Sequence, residues 1–160
     1  MTRVVLDTNV LVSAFFWEGS EQALLRRCRA GEMRSVTSTH ILGELERVLM
    51  RKFGMPEERA RDFVKEVIML SDIVFPVGGL RVVERDSADD IVLETAVMGN
   101  ADILVTGDQH LLRLGRYKGV EIKRASELWG RCSRALGRGT GFVLASLRLM
   151  LQRPNSISRP

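Results

Sequence analysis

Residues 3–9, RVVLDTN, decide the fold class. Arg3–Leu6 is a short run that is apolar after its first residue, without the alternation of a half-exposed strand. That pattern suits a strand buried on both faces of a parallel sheet. The run stops at Asp7, and Asp-Thr-Asn is a good turn sequence that also caps helices.

Working outward, Asn9–Phe16 and Glu21–Arg29 read as helices split near Gly19, and Arg34–Thr37 as a second strand. Ser38 or Thr39 can cap the next helix, whose apolar stripe is Ile41, Leu42, Leu45, Val48 and Leu49. Gly54-Met55-Pro56 breaks it. Pro56 then starts another helix, with Glu57 and Glu58 in the first turn, where the helix dipole favours acids. Ile73–Val77 is a third strand; Ser87-x-x-Asp90 resembles a capping box and opens a helix that Gly99 ends. Ile103–Thr106 is a fourth strand, His110–Leu114 a helical turn, Val120–Lys123 a fifth strand, and Ser126–Leu128 begins a short helix. Strands alternating with helices call for an α/β layer fold with a mainly parallel sheet, in which ligands bind beyond the carboxyl ends of the strands.

With 160 residues and 45% hydrophobic content, the chain can fill the core of one domain. Its two cysteines, Cys28 and Cys132, are far apart and lack a CxxC or His-completed zinc pattern, so two thiols in a reducing, cytoplasmic setting fit best. No signal region follows Met1, and no apolar run approaches the about 20 residues of a membrane span. The net charge of +4 is unevenly placed. Six of the 24 basic residues and none of the 20 acids lie from Gly130 to Pro160, leaving a net of −2 before Gly130. We therefore divide the chain into a domain over residues 1–129 and a basic tail over 130–160, in which Phe142–Leu151 can form a short amphipathic helix.

Four stretches each deliver a carboxylate to a strand end or an amphipathic helix: VVLDTN at Asp7, ILGELERVL at Glu44, SADDIVLETA at Asp89 and LVTGD at Asp108. Carboxylates gathered in one cleft resist joint ionisation, so they need a cation or shifted pKa values. Oxygen-only ligands point to Mg²⁺ or Mn²⁺ rather than zinc. Each acid also has a quieter reading. Asp7 and Asp108 can serve as turn or cap residues, and Asp86, Asp89 and Asp90 crowd a helix start where dipoles favour acids. Glu44 and Glu46 lie on opposite edges of one apolar stripe, and periodicity does not choose between them.

VVLDTNVLVSA, TSTHILGELERVL, DSADDIVLETAVMGNADILVTGDQHLL and GVEIKRASEL together resemble the PIN domain, in its VapC-like branch of toxin components of toxin–antitoxin systems. The resemblance covers roughly residues 3–129 and implies a three-layer α/β/α sandwich around a mainly parallel sheet. It also implies a Mg²⁺- or Mn²⁺-dependent endoribonuclease whose catalytic and metal-holding acids are Asp7, Glu44, Asp89 and Asp108, with Glu44 chosen over Glu46. Asn9, Ser13, Asp90 and Thr106 are expected to orient those acids. The chemistry implied is metal-assisted hydrolysis of RNA phosphodiester bonds, with no protein nucleophile. The partners implied are RNA, an antitoxin protein and a second copy of the chain, and no membrane. Arg47, Arg51, Lys52, Arg113 and Arg116 are candidates for holding the RNA backbone, and His110 receives no role.

The rival from another class is a PIN fold that binds RNA or an antitoxin without cutting. An aspartate-nucleophile phosphatase fits less well, because that chemistry wants Asp-x-Asp after the first strand and Asn9 stands at the second position. The tail matches nothing in the resemblance; Phe142–Leu151 is expected to pack on the domain or on a second copy.

Overall fold

The computed structural model describes residues 1–80, 82 and 87–128. The elements run β1 (Thr2–Leu6), α1 (Thr8–Phe16), α2 (Ser20–Arg29), β2 (Met33–Ser38), α3 (Thr39–Phe53), α4 (Glu57–Leu70), β3 (Ser71–Val74), α5 (Ser87–Met98), β4 (Ile103–Val105), α6 (Gln109–Leu114), β5 (Arg116–Tyr117) and β6 (Val120–Lys123). The tail, Asp86 and Cys132 lie outside the described residues.

The strands form one sheet in the order β3-β2-β1-β4-β6-β5, parallel throughout except for the β5–β6 pair. Val4, Val5 and Leu6 of β1 are all essentially buried. Successive strand residues point to opposite faces, so both faces of the sheet are covered, as the apolar run predicts. The chain is thus α/β, with a mainly parallel central sheet. From β1 it winds outward through β2 to β3, then α5 carries it back across to β4 on the other side of β1. That reversal makes the gap between the carboxyl ends of β1 and β4 the topological switch point, where ligand crevices form in such sheets.

One strand boundary needs correction, one strand escapes the sequence reading, and one glycine ends its helix for a different physical reason. β3 begins at Ser71 and stops at Val74 rather than spanning Ile73–Val77. Pro76 has no N–H to give a ladder, and the Val77 N–H goes to the Glu94 carboxylate instead. The two-residue β5 is too short to carry a periodic signal. Gly99 follows α5, but the left-handed residue there is Asn100, at φ 48°. Gly99 is needed for close approach: a Cβ at that position would lie 2.3 Å from Val36 Cγ1. Gly54, by contrast, ends α3 in the left-handed conformation expected of a C-terminal glycine.

Arg3, Arg34 and Asp72 tie β1, β2 and β3 together on the side of the molecule away from the switch point. Arg3 Nη1 reaches Asp72 Oδ2 at 2.8 Å and Arg34 Nε reaches Asp72 Oδ1 at 2.9 Å. The two guanidiniums hold the Asp72 carboxyl below its ordinary range. Cys28 is a free thiol packed in the core, where burial pushes its pKa up to about 11.

Candidate active site

Asp7 follows the last residue of β1 and caps α1, its Oδ1 accepting the Thr8 N–H at 2.7 Å. Its backbone N–H donates to Val105 O at 3.0 Å, extending the β1–β4 ladder one step into the crevice. The residue is only 7% exposed. Thr106, fully buried after β4, donates its hydroxyl to Asp7 Oδ2 at 2.7 Å and accepts the Asp108 N–H at 3.0 Å. One hydroxyl therefore sets two carboxylate-bearing segments against each other. Asp108 caps α6 through Oδ1, which accepts the N–H groups of His110 and Leu111.

Glu44 comes from α3. Its Oε2 accepts the Thr8 hydroxyl at 2.8 Å, which draws the α3 carboxylate to the foot of α1. Glu46, on the other edge of the same stripe, instead accepts from Arg61 of α4 at 3.2 Å. The charges of Glu44 and Asp108 both act on Asp7. Burial first, and then these two like charges, push the Asp7 carboxyl above its ordinary pKa, against the opposing pull of the Thr106 and Thr8 hydrogen bonds.

Asp89 stands half-buried on the first turn of α5. The direction of that helix follows from its contacts. The Gly99 carbonyl, just past its end, accepts from Arg3 near the start of β1, whereas Thr95 bonds Ser38 at the end of β2. Asp89, six residues before Thr95, therefore lies about 9 Å further beyond the carboxyl ends of the strands. Asp90 is buried and accepts the Val82 N–H at 2.9 Å, so it holds the chain leading into α5. Asn9 and Ser13 make no side-chain hydrogen bond to the four acids. They line a cleft of about 330 Å³ together with Glu21, Thr106, Gly107, Gln109 and Arg124, among others. His110 is exposed and presents its backbone N–H to Asp108.

Among the described residues, no three His, Cys, Asp or Glu side chains are drawn together tightly enough to make a ready metal centre. The donors nonetheless suit a hard divalent cation. They are carboxylate oxygens, and the buried Asp7 carries repulsion that a cation would relieve.

Three functional-looking residues escaped the sequence reading. Thr8 bridges α1 to Glu44, a role only tertiary contact reveals. Glu94, buried in α5, accepts the N–H groups of Val77, Gly78 and Gly79 at 3.0–3.1 Å and so folds the turn after β3. An acid inside the apolar run IVLETAV was the signal available. Arg124 lies just past β6, on the rim of the cleft.

No curated protein matches the chain. Among solved structures it is similar to the crystal structure of VapBC2 from Rickettsia felis bound to a DNA fragment from their promoter. The match has a TM-score of 0.55 and 16% identity, and covers 77% of this chain and 98% of that one. The likeness is one of fold. The model of the PIN domain family matches residues 3–110, the span that holds β1 through the start of α6 and includes Asp7, Glu44, Asp89 and Asp108. The chain belongs to the PIN domain family.

Proposed function

We propose that this chain is a divalent-metal-dependent endoribonuclease that hydrolyses RNA phosphodiester bonds, acting as the toxin of a toxin–antitoxin pair. The observation that carries the reading is the charge gathered at the switch point: Thr106 and Thr8 hold the carboxylates of Asp7 and Glu44 in place beside Asp108, and burial first, then the Glu44 and Asp108 charges, push the Asp7 carboxyl up. PIN nucleases generally use divalent metal ions, which supports a metal-dependent nuclease, and the fold shared with VapBC2 supports the toxin setting.

Asp7, Glu44, Asp89 and Asp108 would hold Mg²⁺ or Mn²⁺. Bound there, the ion supplies acidification of the attacking water and electrostatic stabilisation of the phosphate. The remaining work falls to the protein. Thr106 fixes the rotamer of Asp7 and the backbone before Asp108. Thr8 does the same for Glu44. Because Asp108 Oδ1 is taken by α6 amides, Oδ2 is its available oxygen. The antitoxin would be a small protein, encoded next to this gene, that covers the cleft.

Asp7→Asn tests the reading. The change removes charge but little volume, so single-stranded RNA cleavage in Mn²⁺ should vanish while the circular dichroism spectrum stays that of the parent. Cleavage at the parent rate would reject the role of Asp7. The looseness of the acid group favours the second reading, a module that binds RNA or an antitoxin without cutting. RNA binding by a parent chain that shows no cleavage in either metal would select it.

A further inference from the structure

The cleft lined by Asn9, Ser13, Gln109 and Arg124 includes none of the four acids among its lining residues, yet it adjoins them through one side chain. Thr106 lines the cleft, and its hydroxyl holds Asp7. Asn9, Ser13 and Gln109 offer amide and hydroxyl groups that make no side-chain hydrogen bond within the described residues. Arg124 supplies the charge. Its backbone N–H bonds Glu127, but its guanidinium makes no ion pair or hydrogen bond with a described residue. Neighbouring cations are committed differently: Lys123 and Arg116 both pair with Glu121.

From this geometry we propose that Arg124, assisted by Asn9, Ser13 and Gln109, holds a backbone phosphate of the RNA strand beside the one being cut. The inference rests on the ribonuclease reading and names a positioning residue for it. An arginine fork presents several donors to phosphate oxygens at once, and neutral amides and hydroxyls complete the set without adding charge. Glu21 also lines the cleft, its Oε2 occupied by the Ser20 hydroxyl at 3.0 Å. Its carboxylate repels an anion, so the phosphate is expected on Arg124 and not on Glu21. The RNA contact then comes from the chain after β6 rather than from Arg51 and Lys52 at the end of α3. Arg51 and Lys52 sit in the last turn of that helix, about 10 Å along its axis from Glu44.

The test uses the full chain carrying Asp7→Asn, so that RNA persists, and titrates a fluorescently labelled single-stranded oligouridylate over a range of KCl. We expect Arg124→Gln in that background to weaken binding about tenfold at low salt. The slope of log K against log salt should fall by about 0.7, the value for one lost contact to a single strand. Arg124→Lys should recover most of the slope, because it keeps the charge. With Asp7 restored, Arg124→Gln should raise KM more than it lowers kcat. Unchanged affinity and slope in Arg124→Gln would overturn the assignment while leaving the ribonuclease reading standing. Failure of the Asp7→Asn parent to bind the probe at any salt would refute that reading, and the phosphate site with it.

Discussion

Replacing Thr106 by valine removes one hydroxyl and almost no volume, and the structure predicts a large, pH-dependent cost. The hydroxyl is buried; it donates to the Asp7 carboxylate at 2.7 Å and accepts from the Asp108 amide at 3.0 Å. A hydrogen bond to a charged group contributes about 1.5–3 kcal/mol and a neutral one about 1 kcal/mol, so the loss at neutral pH should be about 2.5–4 kcal/mol. Its pH dependence follows from Asp7. Burial has already raised the Asp7 carboxyl in the folded state, and the Thr106 bond opposes that rise. Thr106→Val should therefore raise it further. The extra destabilisation is fully present above the folded-state pKa of the variant and shrinks as pH falls toward the unfolded value of 3.8. Below the folded-state pKa of the parent, Asp7 is protonated in both folded proteins and only neutral hydrogen bonds are lost, about 1–2 kcal/mol. Urea unfolding in EDTA at pH 7.5 and pH 4.0 measures both ends, with Thr106→Ser expected to restore stability. A loss below about 0.5 kcal/mol at pH 7.5, or an equal loss at the two pH values, would refute the reasoning.

The same logic makes Asp7→Asn more stable than the parent without metal at neutral pH, because the charge that burial and Glu44 disfavour is gone; a lower melting temperature in EDTA would contradict this. Gly99→Ala should destabilise by about 1–3 kcal/mol, since its Cβ would meet Val36 Cγ1 in a filled core; partial recovery in the Gly99→Ala, Val36→Ala double variant would identify the clash as the cause. Asp72 titrates with the opposite sign. Its carboxyl is held low by Arg34 and Arg3, so its contribution is present above pH 3.8 and lost as pH falls through the lower folded value; Asp72→Asn should flatten the acid limb of a stability–pH curve below pH 4, an effect that 1 M NaCl should diminish.

How much of this was legible in the sequence depends on what sort of contact fixed each feature. β1 was legible because a strand buried on both faces must be apolar at every position. The edge strand β3 was not. Its limit is set by Pro76 and by the Glu94 carboxylate arriving from another element. The choice between Glu44 and Glu46 could not come from periodicity, which places both at the border of one stripe. Tertiary partners separate them, Thr8 for one and Arg61 for the other. Asn9 and Ser13 were expected to steady the acids, whereas their surroundings join them to Arg124 in the neighbouring cleft.

The quiet explanation for these acids, that they cap helices, turns out to be true and insufficient. Asp7 caps α1 and Asp108 caps α6. A capping side chain is worth about 1 kcal/mol, and serine serves about as well as aspartate. Serine at position 7 would cap α1 without placing a third negative charge, itself buried, beside Glu44 and Asp108. The aspartate therefore carries an electrostatic cost that capping does not require, visible in its raised pKa. Thr106 and Thr8 compound the point, since each spends a buried or half-buried hydroxyl on holding one of these carboxylates in place. Charge held at a cost, at the switch point of a parallel sheet, supports the proposed cation-dependent site.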